Sequence, residues 1–324
     1  MIITLVIFAA LLATTMALCM IAGSVNVFSL KPDIADAILY KFRLPRVVIA
    51  AAIGAALACC GVVFQGLLRN PLADPFILGI SGGGTAGAVA ASALGINFAI
   101  LGFSGITVSA FAGALAALLL LLAFARRRAG TSTHTLILTG VVLNAIFSAI
   151  ILFAMSLMNN QDVSVAYRWM MGSLKQAIDH DSTQIVAGCS VVAICCAALL
   201  VFARNLNLLA LGEETAAQMG AGVERTKLAL LIMCALLTAV AVSLAGPIGF
   251  VGLIVPHIMR IIVGPDHRIL IPSAFFGGAI FLVIADTFAR SLFYTELPVG
   301  VITALCGGPF LLWLLKFRAR RASF

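Results

Sequence analysis

From Pro75 to Ala125 the chain runs for 51 residues without one charged side chain. A helix needs about 20 residues to cross the hydrocarbon core of a bilayer. The run is too long for one such helix and suits two joined by a turn. A soluble domain carries about a quarter charged residues. Here charged residues are 10% of 324 and hydrophobic ones 63%, with a mean hydropathy of +1.18. A surface so poor in charge has to face lipid. The expected fold is an all-α polytopic membrane protein of about ten transmembrane helices. It should form a single transmembrane domain over residues 1–324, because no polar segment approaches the length of a small soluble domain.

The spans are expected at about 2–24, 47–68, 76–96, 105–125, 135–158, 183–203, 228–246, 248–264, 269–289 and 299–315. The first stretch lacks a positive n-region and a clear small-residue cleavage site, so it reads as a retained span. With the N-terminus inside, the cytoplasmic segments hold 13 of the 20 Lys and Arg. The outer segments hold Lys31, Lys41, Arg43, Arg46, Arg168, Lys175 and Arg290. This bias favours both termini inside, and it accounts for a net charge of +8 without nucleic acid. Tyr40, Tyr167, Trp169 and Tyr294 fall at outer boundaries and Trp313 at an inner one, where amphipathic rings suit the headgroup level.

Several enzyme and metal chemistries are excluded by pattern. The eight cysteines lie in apolar runs and form no C-x-x-C, so they read as small packing residues. His134, His180, His257 and His267 are scattered and form no metal pattern. The chain has no P-loop, no G-x-S-x-G and no paired catalytic carboxylates, so it is not expected to be an enzyme or to bind a cofactor.

Polar and glycine-rich features then mark the candidate sites. "QGLLRNPLADPFILGISGGG" (Gln65 to Gly84) joins two spans with Asn70, Pro71, Pro75 and three consecutive glycines, Gly82 to Gly84. Each glycine weakens a helix by about 1 kcal/mol relative to Ala, so a break or hinge is expected there, tight packing being the simpler alternative. The inner segment "RNLNLLALGEETAAQMGAGVERTK" (Arg204 to Lys227) suits a short helix. Glu213 and Glu214 sit at its N-terminus, Gly220 or Gly222 at its end, and Ala216, Ala217 and Gly220 form a smooth face. Such a helix could dock into a soluble partner or be an ordinary solvated loop. Arg43, Arg46 and Arg290 oppose the positive-inside bias, so carboxylates of an external protein or lipid headgroups are expected to meet them. Pro256 and Pro309 are expected to interrupt their helices and expose backbone beside protein or a wet cavity. Asp286 is read as an i, i+4 partner of Arg290 rather than as a proton relay.

Four motifs, in order, carry a resemblance over nearly the whole chain, from about Arg43 to Trp313. They are "RLPR" with "GAALACCGVVFQGLLRNPLADPFILGISGG", then "LNLLALGEETAAQMG", "GPIGFVGLIVPHIMRIIVGPDHR" and "ELPVGVITALCGGPFLLWLL". The chain resembles the iron-siderophore, vitamin B12 and haem (FecCD-type) family of ABC importer permeases. The resemblance implies a ten-span subunit, usually homodimeric, with the pathway at the dimer axis. It implies two ATPase subunits below, which bind ATP and Mg, and a substrate-binding protein above. By resemblance, the ATPase-coupling residues are Leu211, Gly212, Glu213, Ala216, Ala217, Met219 and Gly220, within a coupling loop of about 205–227. Arg43, Arg46 and Arg290 would meet the binding protein. Asn70 would lie near the cytoplasmic gate, with Pro71 stiffening the turn. Ser81, Gly82, Gly83, Asn144 and Ser148 would belong to the gate and pathway. The implied function is import of a siderophore, haem or cobalamin type chelate across a bacterial inner membrane. An ion-gradient-driven secondary transporter is the alternative, and it would need intramembrane carboxylates or ion-binding broken helices near the midplane.

Overall fold

The computed structural model describes residues 2–23, 25, 27–96, 98–100, 103–127, 130–131, 133–175, 182–292 and 296–322, without the side chains of 27, 126, 127, 130, 131, 133, 315 and 317–322. Arg128 (one of the 13 inner cations), His180 and Tyr294 lie outside the described residues.

The helices are α1 (Ile2–Ile21), α2 (Pro32–Asp36), α3 (Leu44–Leu67), α4 (Ile80–Ala93), α5 (Gly105–Ala125), α6 (Thr133–Ser156) and α7 (Asn160–Met170). There follow α8 (Ser182–Val201), α9 (Ala203–Leu211), α10 (Glu213–Gln218), α11 (Val223–Ala245), α12 (Val251–Val263), α13 (His267–Ser291) and α14 (Val299–Ala322). A seven-residue π-helical stretch, Ala37–Arg43, joins α2 to α3. Seven helices among the described residues are long and apolar enough to cross a membrane, and α12 and Val299–Leu314 are shorter apolar helices. With the 14-residue α4, each of the ten expected spans coincides with a helix.

The centre of the bundle is α3, buried along almost its whole length. Without a hydrophobic drive between helices in lipid, close backbone approach supplies the packing. The small-residue sequence of α3 permits it. A Cβ on Gly54 would lie 2.1 Å from the carbonyl oxygen of Gly278 on α13, and one on Gly61 would lie 1.9 Å from that of Gly252 on α12. By contrast α1 buries only Cys19.

Several expectations are corrected. Gly82 to Gly84 lie inside an unbroken α4. Gly83 meets α5 so closely that a Cβ would fall 2.6 Å from the Gly113 carbonyl oxygen, so packing and not a break explains these glycines. The irregular backbone lies just before them, from Leu68 to Gly79, where Gly79 takes φ 82°. Pro256 and Pro309, by contrast, interrupt the hydrogen-bond ladder as expected without ending α12 or α14, and the carbonyl of Gly252, four residues before Pro256, accepts from Gln65. Trp169 is no headgroup residue. It is 6% exposed and packs with Ala88, Ala110 and Val242, whereas Tyr40, Tyr167 and Trp313 are exposed. Cys306 is exposed too, unlike the other cysteines.

Candidate functional site

At the end of the bundle where α1 stops and α3 begins, the three arginines expected to face an external partner are turned inward. Arg46 lies along Asp286: Nε donates to both carboxylate oxygens at 3.0 and 2.9 Å, and Nη2 donates to Oδ1 at 2.9 Å. Its Nη1 reaches Glu296 Oε2 at 3.2 Å. Arg46 is 4% exposed and Asp286 1%. Arg290 approaches Asp286 at 3.7 Å, so the expected i, i+4 pair exists but is secondary to Arg46. Arg290 also donates to the Cys19 carbonyl. Arg43 donates to the carbonyls of Met20, Ile21 and Val25 at 2.8, 2.7 and 2.7 Å. The last turn of α1 leaves carbonyls without helical partners, and two guanidiniums satisfy them. The physical reason for the correction is desolvation: a buried charge stays only where it is paired. The carboxylate that Arg46 requires is supplied from within the chain.

In the middle, Leu68 to Gly79 folds back into the bundle. Two turns of the same kind follow each other four residues apart. Asn70 Oδ1 accepts the Leu72 N–H at 3.0 Å, and Asp74 Oδ1 accepts the Phe76 N–H at 2.9 Å. Pro71 and Pro75 fix φ in the residue between each pair. Asp74 is 6% exposed, and its Oδ2 is among the atoms that a Cβ on Gly252 would meet, together with the Leu57 carbonyl. Asp74 is therefore level with the middle turns of α3, at membrane depth. Asn144 of α6 donates to the Phe76 carbonyl at 2.8 Å and holds the loop from the other side. Gln65 donates to the carbonyls of Gly252 and Leu253 at 3.2 and 3.4 Å and accepts from Arg260 at 3.1 Å.

The second irregular segment, Gly246 to Phe250, lies between α11 and α12. Phe250 takes φ 69°, a conformation that costs a non-glycine residue free energy and persists only where the surroundings enforce it. At about 1.5 Å per residue, α4 and α12 are each about 20 Å long, shorter than a bilayer core. Both begin where irregular backbone meets a cavity. One cavity of about 690 Å³ is lined by Asp74, Phe76, Ile77, Met170, Phe250 and Leu305, among others. A second of about 480 Å³ is lined by Gly82, Thr85, Asn144 and Ser148. Phe76, Ile77, Met170 and Pro247 line both. Of the expected pathway residues, Gly82, Asn144 and Ser148 thus line a cavity. Ser81 is fully buried, Gly83 faces α5, and Asn70 and Pro71 line neither cavity. Sequence reasoning placed Gln65 and Asp74 in the stretch of interest without giving either a role, and it passed over Phe76 and Met170. The available signals were a glutamine inside an apolar span and an acid at the edge of the long uncharged run.

Near the end of α3, α9 buries Ala203, Leu206 and Leu209. Gly212, with φ 127°, turns the chain into α10. Gly220 takes φ 81° and ends α10, while the Ala221 N–H returns to the Ala216 carbonyl at 2.9 Å, as in a Schellman cap. Leu211, Glu214, Ala217, Met219 and Gly220 are exposed. Ala216 is not: it is fully buried and packs inward, so the smooth face is narrower than expected. Glu213 accepts from Lys227 Nζ at 2.5 Å. Asp266 caps α13, and its carboxyl is held below the usual range first by the Arg268 N–H and then by the Asn207 side chain.

Short helices that meet irregular backbone at a cavity inside the membrane define a transport-type helical bundle rather than an anchor. The chain belongs to the FecCD transport family, whose model matches residues 2–317. It is a membrane-spanning ABC transporter permease. It is 46% identical over 291 residues to the cobalamin import system permease protein BtuC of Halobacterium salinarum, covering 90% of this chain and 76% of that one. It is 41% identical over 292 residues to the hemin transport system permease protein HmuU of Yersinia pestis, covering 87% and 84%. A solved structure of an inward-facing metal-chelate type ABC transporter matches with a TM-score of 0.87 at 30% identity, covering 98% of this chain and 99% of that one.

Proposed function

We propose that this chain is the permease of an ABC importer that moves a chelate of the siderophore, haem or cobalamin type across the cytoplasmic membrane into the cell. The observation that carries this reading is the pair of mid-membrane cavities sharing Phe76, Ile77, Met170 and Pro247, set in a frame similar over 98% of the chain to a metal-chelate transporter. Their walls are mostly apolar, and rim residues such as Leu305 and Val141 are exposed. A second permease copy closes over them, which makes the pathway run along a dimer axis. Two ATPase subunits, carrying ATP and Mg, dock on the exposed surface of Leu211, Glu214, Ala217, Met219 and Gly220, with both chain termini on that cytoplasmic side. The binding protein docks on the outer rim that Arg43, Arg46 and Arg290 hold together. Direct contact with these arginines requires their present partners to be released. An ion-gradient mechanism gains nothing from Asp286, because both of its oxygens are held by Arg46.

The test is reconstitution in liposomes with an ABC ATPase and a substrate-binding protein from the same organism. Radiolabelled cobalamin, haem and a ferric siderophore are supplied in turn. ATP-dependent uptake of one of them is the expected result. An assembled complex that hydrolyses ATP and takes up none of the three would overturn the cargo assignment.

A further inference from the structure

The cytoplasmic element α9–α10 is joined to the rest of the chain through glycines that invite swinging. Gly212 sits between α9 and α10, and Gly220 and Gly222 lie between α10 and α11. A helix of six residues has little stability of its own. A push on α10 would be absorbed in these turns unless something pins it.

Four side-chain contacts do so, and none uses the exposed face proposed to meet the ATPase. Lys227, in the first turns of α11 and 3% exposed, pairs with Glu213 at the start of α10 at 2.5 Å and lies 3.8 Å from Glu224. Asn205 on α9 donates to Thr226 Oγ1 on α11 at 2.9 Å. Asn207 on α9 accepts from the backbone N–H of His267 at 3.0 Å and lies 2.6 Å from its Nδ1. Its amide donates to Asp266 at 2.7 Å, at the cap of α13. Lys227 is 3% exposed and reaches Glu213 from α11, and removing one partner of a buried ion pair is costly, so this contact ties α10 to α11. From this clamp α11 runs unbroken for 23 residues. Its far end leads directly into Pro247, which lines both cavities.

We infer that Lys227 and Asn207 are positioning residues of a transmission clamp that makes α9–α10 move as one body with α11 and α13, so that displacement of α10 by a partner reaches the cavity wall. The inference rests on the proposed ATPase contact.

The test uses the full chain assembled with its ATPase in nanodiscs. Cys306→Ser removes the exposed native thiol, and Ala304→Cys places a reporter on the wall of the larger cavity. The rate of labelling by a water-soluble maleimide is compared without nucleotide and after trapping with MgATP and vanadate. In the otherwise unaltered chain, trapping should change the rate at least about fivefold, the lower end of typical coupling between sites. Lys227→Met and Asn207→Leu should bind the ATPase and permit hydrolysis as before, yet lose most of that change. Lys227→Arg should retain it. If Lys227→Met fails to fold, the neutral Asn207→Leu decides alone. A labelling change that persists in Asn207→Leu and in any folded Lys227→Met would overturn the clamp, as would an assembled, hydrolysing complex with no change before mutation. Failure of the unaltered chain to capture any ATPase would be visible before labelling, and would overturn the proposed function and the clamp with it.

Discussion

The two ends of this molecule treat their charges in opposite ways. At the end where α1 stops, Arg43, Arg46 and Arg290 are all buried and direct their donors within the chain, to Asp286, Glu296 and the carbonyls that end α1. At the end that carries α9–α10, the charged and polar groups of that element pin its inner side, while Leu211, Met219 and Ala217 stay uncovered. Charge of unexpected sign on one side of a membrane protein is therefore not by itself a docking surface. What matters is whether a partner already lies within the fold.

The largest test of this contrast is at Asp286. Replacing it with Ala strands Arg46 without its main partner, and breaking a buried pair this way costs about 3–5 kcal/mol. Denaturant unfolding in detergent should show that loss, and the double change Arg46→Met with Asp286→Leu should restore most of it. A single variant as stable as the parent would mean that the outer arginines are not held internally. The inner face should respond in the reverse manner. Ala217→Trp should weaken ATPase capture by about tenfold or more, yet leave stability within about 0.5 kcal/mol, as for an ordinary surface change. Equal losses of folding and capture would erase the distinction between the two ends.

The smallest effect expected is on pH. Asp266 has a lowered folded pKa because the Arg268 N–H and Asn207 favour its ionised form. Its contribution is therefore full above the unfolded carboxyl value, about 3.9, and is lost as pH falls through the lower folded value. The group is largely exposed, so the effect is local. Protection from hydrogen exchange at the start of α13 and along α9, taken relative to the intrinsic exchange rate at each pH, should fall on acidification, and Asp266→Asn should reduce that pH dependence.

How much of this was legible in sequence follows from the range of the interactions. The helices under the ten expected spans were readable because each is a local apolar run, although only seven of them are long enough to cross a bilayer among the described residues. The end of α10 was readable because Gly220 sits where a left-handed cap belongs. Asp286 and Arg46 were both noticed, but their pairing joins residues 240 apart, and the local i+4 neighbour hid it. The role of Gly82 to Gly84 was misread because helix propensity describes an isolated helix, while α4 is pressed against α5. Trp169 obeyed packing rather than the headgroup preference of its ring. Asp74 was hidden because a carboxylate between two spans reads as solvated, unless the loop is known to fold back to the level of Leu57.

The most direct test of the central claim is photo-cross-linking in native membranes from a reactive amino acid placed at Ala217. An adduct with the neighbouring ATPase, lost when Met219 and Gly220 are made bulky, is the predicted result. A complex that hydrolyses ATP and imports cargo, yet yields no ATPase adduct from Ala217, would place the coupling surface elsewhere and contradict the account.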